Sequence, residues 1–190
     1  LATVQAAERE RLSPLLYRRL VDTALPAPEA VLARLRRQYL RVAADNARRF
    51  AALEEALAAL QAASVPVILL KGAHLAPLVY GNIALRPMVD LDLLVQDGGV
   101  ERALDALARL GYALLAEGAW MEDRYGHHGL CRSDGLLIEL HQRLGAMAVG
   151  AQVDQAGLWR RANLVQVGHA SALALAPIDL LLHLCVHGAQ

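Results

Sequence analysis

From Pro28 to about Ala63 the apolar residues advance by threes and fours, through Leu32, Leu35, Tyr39, Val42, Phe50, Leu53, Leu57 and Leu60. That spacing keeps them on one face of a helix and predicts the longest element of the chain. Asn46 interrupts the apolar line. The other faces carry Arg34, Arg36, Arg37, Arg41, Arg48 and Arg49, which reads as a solvated basic surface, with a phosphate-rich partner such as RNA as the alternative. Upstream, Gln5 to Leu12 reads as helix, and Ser13-Pro14 restarts the pattern, with Ser as N-cap and Pro at the first helical position. That second helix ends near Leu25-Pro26-Ala27-Pro28.

After Ser64 the period shortens. Val65 to Leu70 is wholly apolar, as a buried strand requires, with Pro66 tolerable only near its start. Lys71-Gly72 turns the chain into a short helix, Ala73 to Tyr80, which Gly81-Asn82 breaks. Val89 to Val95 reads as a second buried strand that contains Asp90 and Asp92. Val100 to Leu110 is an amphipathic helix stopped by Gly111. Tyr112 to Ala116 reads as extended, and Glu117 to Tyr125 as loop. His127 to Arg132 and Leu136 to His141 form a hairpin around Ser133-Asp134-Gly135. Gln152 to Ala162 is expected to be helical, and Leu164 to Val167 extended. A last helix starts at Pro177, with Asp179 complementing its dipole and Ile178, Leu181, Leu182 and Cys185 as its apolar side.

Composition narrows the class. The chain has 190 residues, 56% of them hydrophobic, and zero formal net charge, which suits a folded protein with a substantial core. The balance gives no general case for nucleic-acid or membrane-surface binding. No apolar run reaches the ~20 residues a membrane span needs. The N-terminus lacks a signal-peptide pattern, and Cys131 and Cys185 have no metal-ligand spacing, so a cytoplasmic protein with reduced thiols is expected.

The chemistry concentrates on Asp90 and Asp92. Residues two apart on a strand face the same side, and paired carboxylates beside an apolar core demand compensation. Mg²⁺, held by one or two carboxylates plus substrate phosphates, supplies it. Glu139 is a third carboxylate among apolar strand neighbours, and His141 shares its face. In a two-residue hairpin register His128 lies opposite His141. Lys71 is the only lysine in the chain, and it stands at the Gly72 turn, where helix N-terminal N–H groups suit phosphate oxygens. Arg86, four residues before Asp90, is placed to pair with it or to meet a phosphate. His183 and His187 are four apart, but no acidic motif adjoins them in sequence, so packing or capping is the expected role.

The ordered set LLKGAHL, RPMVDLDLLV, IELHQRL and LAPIDLLLHLCVHGA resembles the bacterial family of uncharacterised nucleotidyltransferases in the DNA-polymerase-β-like superfamily, from about Arg11 onward. The resemblance implies an α+β fold: a small mixed-sheet core over 64–145, an N-terminal helical region over 1–63 and a C-terminal helical segment over 146–190. Relatives continue past the final helix. It also implies catalysis and metal binding by Asp90, Asp92 and Glu139, with Mg²⁺ or Mn²⁺ as cofactor. Lys71, Gly72, Ala73 and Arg86 would bind an NTP, ATP first, and His128 or His141 would serve the acceptor side or support the carboxylates. Position 73 holds alanine where the superfamily usually has serine, which leaves Lys71 to meet phosphate charge. The acceptor is a protein, an RNA or a small molecule. Two other readings of the same motifs are a non-catalytic NTP-binding module and a toxin-like enzyme acting on tRNA.

Overall fold

A computed structural model describes residues 2–115, 127–144 and 153–188. Helices α1 (Ala2–Arg9) and α2 (Ser13–Asp22) lead into α3 (Glu29–Ala62), whose 34 residues run roughly 50 Å at the usual rise. Strand β1 (Ile68–Leu69), helix α4 (Lys71–Leu78), strand β2 (Asp90–Leu94) and helix α5 (Val100–Arg109) follow. Next come β3 (Tyr112–Leu114), β4 (His127–Arg132), β5 (Leu137–His141), α6 (Gln155–Arg161), β6 (Asn163–Val167), β7 (Ala170–Ala174) and α7 (Pro177–Gly188). The fold is α+β. The seven strands among the described residues make one mixed sheet in the order β3-β4-β5-β2-β1-β7-β6, with β5/β2 and β1/β7 parallel and the other neighbours antiparallel.

Period-two alternation decides what each face carries. Leu91, Leu93, Ile138 and Leu140 point to the face covered by Leu53, Leu57 and Leu60 of α3 and by Ala103 and Leu107 of α5. Asp90, Asp92, Glu139 and His141 consequently take the opposite face, beside a smaller cluster that includes Ile68, Leu94, Leu158 and Leu180. The apolar side of the sheet fixes where the polar side must lie.

Asn46, the break in the α3 pattern, is fully buried, and its Nδ2 donates to the carbonyls of Ile83 (2.6 Å) and Arg86 (2.8 Å). It anchors the segment that leads into β2. Substituting Asn46→Leu is expected to cost about 2 kcal/mol or more, because two carbonyls lose their donor. Urea denaturation measures it, and an unchanged midpoint would show the anchor to be dispensable.

Several expectations need correction. Helix α1 is Ala2–Arg9, not Gln5–Leu12, because the chain turns at Arg11 with φ +57°. Ser13 does not cap α2. It is the first helical residue, with its hydroxyl buried and unpartnered, since Leu12 already closes the turn. The strand expected over Val65–Leu70 is reduced to Ile68–Leu69, flanked by bonds from Leu173 N–H to Val67 O and from Leu70 N–H to Asp92 O. Ile178, Leu181 and Leu182 do not form a buried side of α7. They are 57–59% exposed, and Asp179 and Leu180 turn inward instead. Asp179 meets a specific partner, the Arg161 guanidinium, through two hydrogen bonds of 2.9 and 2.8 Å that tie α6 to α7. Residues 116–126 and 152, on which parts of the strand, loop and helix expectations fall, lie outside the described residues. Among those described, no helix is long and apolar enough to cross a membrane.

Candidate functional site

The site starts from one parallel register. β2 and β5 place Asp92 directly beside Glu139 and Asp90 beside Leu137, so the three carboxylates share a face. His141 follows two residues later on the same side. Asp92, Glu139 and His141 are all buried, and one ligand atom from each lies within 4.8 Å of the others. His141 Nε2 is 3.1 Å from Asp92 Oδ1 and 3.5 Å from Glu139 Oε2.

Lys71 closes the cluster from the β1–α4 turn. Its Nζ is 2.7 Å from Asp92 Oδ1 and 3.5 Å from Glu139 Oε2, so the sole lysine of the chain bridges two of the three carboxylates. Lys71 has φ +38°, a left-handed conformation that costs an ordinary side chain about 1 kcal/mol or more and that clusters at functional sites. Gly72 is needed for a different reason. A Cβ there would sit 2.5 Å from Met88 Sδ, so the glycine admits Met88 against the turn. Ala73 is fully buried in the cluster that holds Leu91 and Leu93, so its methyl faces apolar side chains.

Electrostatics follow from burial and charge. Burial opposes the Asp92 anion, but the His141 hydrogen bond and the Lys71 ammonium outweigh it and hold its carboxyl far below the usual range. Burial likewise opposes the charges of Lys71 and His141. The carboxylates around them prevail and raise both above their ordinary values. Asp90 is the member left over: burial first, then the charges of Asp92 and Glu139, push it up to about 6. One lysine and one histidine do not balance three carboxylates. The donor set therefore fits a divalent cation, which needs oxygen ligands and excess negative charge.

The sign of the Asp90 effect gives a prediction. Its folded value near 6 lies above the ordinary 3.8, so ionisation disfavours the folded state. That penalty is absent below pH 3.8, grows as pH rises to 6 and is constant above. Asp90→Asn is therefore expected to raise the stability of the metal-free protein by about 1–2 kcal/mol at pH 8, allowing for partial solvent screening. Near pH 3.5 no gain is expected. Paired thermal melts at the two pH values provide the measurement, and a destabilised variant at pH 8 would contradict the charge imbalance.

Not every expected residue joins the cluster. Arg86 makes no ion pair with Asp90; its Nη1 donates 2.8 Å to the carbonyl of Pro87. His128 does not face His141. A three-residue turn, Ser133–Gly135, with Gly135 at φ +82° and a bond from Arg132 N–H to Leu136 O, shifts the hairpin by one. His127 consequently stands opposite His141, with ring centroids 5.3 Å apart. His128 pairs instead with Leu140, and its Nε2 accepts from the Gln142 amide at 2.8 Å.

Sequence reasoning missed the surroundings of α7. His183 and His187 stack at 6.2 Å, and the Nε2 of His183 is buried without a partner. Burial, then the charges of Lys71 and His141, push His183 down to about 4. Burial and Lys71 also lower His187. The helical spacing of this pair was visible, but its proximity to the carboxylates depends on where α7 docks.

Comparison with known proteins bears on the family and the fold. A family model described as "uncharacterised nucleotidyltransferase" matches residues 2–190. No curated protein matches the chain. Among solved structures, the chain is similar to a Thermotoga maritima protein whose assignment as a nucleotidyltransferase is itself provisional. The two share 13% identity at a TM-score of 0.56, over 75% of this chain and 86% of the other. At that identity the likeness speaks for the fold alone.

Proposed function

The chain belongs to the uncharacterised nucleotidyltransferase family, and from that premise we propose that it moves a nucleoside monophosphate from an NTP to an acceptor hydroxyl and releases pyrophosphate. The observation that carries this reading is the buried meeting of Asp92, Glu139 and His141 beside Lys71. Asp90, Asp92 and Glu139 would hold divalent cations, Mg²⁺ or Mn²⁺, which when bound supply Lewis-acid stabilisation of charge on the phosphate oxygens. The acceptor hydroxyl gives up its proton to solvent, and its oxygen forms the new bond to the α-phosphorus as the bond to the pyrophosphate oxygen breaks in line, its electron pair leaving with pyrophosphate.

The protein's own groups do the positioning. With the carboxylates neutralised, Lys71 would be free of Asp92, and its ammonium would meet the negative charge that builds on the leaving pyrophosphate. The backbone at Gly72 and Ala73 begins α4 with N–H groups suited to phosphate oxygens. Before any cation binds, His141 holds Asp92 in place through its 3.1 Å contact. ATP is the nucleotide to try first, with a protein, an RNA or a small molecule as acceptor.

Incubating the chain and cell lysate with ATP labelled at the α- or the γ-phosphorus tests the reaction. The α-label alone should appear on a larger product, with release of pyrophosphate. Nucleotide binding without pyrophosphate release would favour a non-catalytic module, and transfer of the γ-label would contradict the proposal. If tRNA carries the label, growth arrest relieved by Asp90→Ala would mark the toxin-like variant of the reading.

A further inference from the structure

His141 stands differently from a histidine that merely supports one carboxylate. Its Nε2 lies within 3.5 Å of oxygens from two carboxylates at once, Asp92 and Glu139, and the three residues are buried together. Register puts it there: β2 and β5 run parallel with Asp92 beside Glu139, and the strand period carries His141 to the same face. Lys71 Nζ approaches the same two oxygens, so a positive charge already stands where the two carboxylates and the imidazole converge. Three carboxylates against one lysine and one histidine leave room for a charge of higher valence.

Resting on the nucleotidyltransferase reading, we propose that His141 Nε2 is a direct metal ligand, so that the Asp92–Glu139–His141 position takes a first-row transition ion in preference to Mg²⁺. Mg²⁺ favours an all-oxygen shell and keeps several waters, whereas an imidazole nitrogen suits the Mn²⁺-to-Zn²⁺ series. A position made by Asp90 and Asp92 alone is all oxygen and stays suited to Mg²⁺ with the triphosphate. Binding turns the Nε2 lone pair to the ion, and a proton held on Nε2 is displaced to solvent. Lys71 moves aside from Asp92. The competing arrangement keeps the proton on Nε2, with His141 donating to Asp92 from outside the coordination shell.

Pulsed electron paramagnetic resonance of Mn²⁺ added to the whole chain without nucleotide separates these. Nitrogen modulation from a directly bound imidazole is expected, and it should change when the protein is grown with ¹⁵N-histidine, an observation that needs no variant. His141→Asn should abolish that modulation and weaken Mn²⁺ binding about tenfold or more, with Mg²⁺ binding little altered. Mn²⁺ that binds, and is lost in Asp92→Asn, but shows no histidine modulation would overturn the ligand role and leave the nucleotidyltransferase reading standing. Modulation that persists in His141→Asn would assign the nitrogen to another histidine and overturn the proposal as well. A wild-type chain that binds no Mn²⁺ would overturn both.

Discussion

Asp92→Asn is expected to lower nucleotidyl transfer by about 10³-fold or more, the scale on which a lost electrostatic clamp on a transferring phosphoryl group acts. Asp92 is also the hub of the metal-free cluster, with Lys71 Nζ at 2.7 Å and His141 Nε2 at 3.1 Å on the same oxygen. Neutralising it leaves a half-buried ammonium and a buried imidazole with Glu139, 3.5 Å from each, as their remaining direct carboxylate contact, which should destabilise the protein by about 3 kcal/mol. The pH dependence has a definite sign. Asp92 is held below its ordinary value of 3.8, so its contribution is present above that pH and disappears as pH falls through the depressed value. Asp90→Asn should do the opposite and stabilise the metal-free chain, although a single residue lies between the two positions and both substitutions remove a carboxylate. Melting curves at pH 8 beside single-turnover assays check the pair. Equal shifts of both variants in the same direction would contradict the charge arrangement.

Lys71→Met separates metal binding from chemistry. Lys71 competes with any cation for Asp92 and Glu139, so its loss is expected to tighten Mn²⁺ binding in the absence of nucleotide by about tenfold. Transfer should nevertheless fall by about 10²–10³-fold, because the pyrophosphate leaves without the ammonium. The metal-free variant is less stable, its carboxylates being short of a counter-charge, and saturating Mn²⁺ should raise its Tm more than that of wild type. Lys71→Arg is not expected to restore activity. A planar fork does not replace a point charge 2.7 Å from one oxygen and 3.5 Å from another. Isothermal titration with Mn²⁺, then transfer assays at saturating metal, measures both halves. Weakened metal binding would show Lys71 to be part of the cation site and not its competitor.

Much of this was legible because it depends on period. The three-and-four spacing of α3, the strand alternation around Asp90 and Asp92, and the Asp-Gly turn each specify local structure. Period two alone put Glu139 and His141 on one face of β5. What escaped depends on how elements dock. One extra turn residue at Ser133–Gly135 exchanged His128 for His127 opposite His141. β7, Ala-Ser-Ala-Leu-Ala, has weak strand propensity and forms because β1 and β6 flank it. The carboxylate partner of Lys71 and the surroundings of His183 are set by contacts between residues about 20 to 110 positions apart, beyond any local pattern. Asn46 looked like a flaw in a helix and proved to be an anchor, since a buried amide matters only once Ile83 and Arg86 arrive beside it.

Anomalous diffraction from a crystal grown with Mn²⁺ and an NTP analogue that resists cleavage at the α–β bridge addresses the main claim directly. Manganese is expected against the side chains of Asp90, Asp92 and Glu139, with the triphosphate reaching toward Lys71 at the start of α4. Manganese elsewhere, or a nucleotide whose phosphates point away from the β2–β5 face, would contradict it.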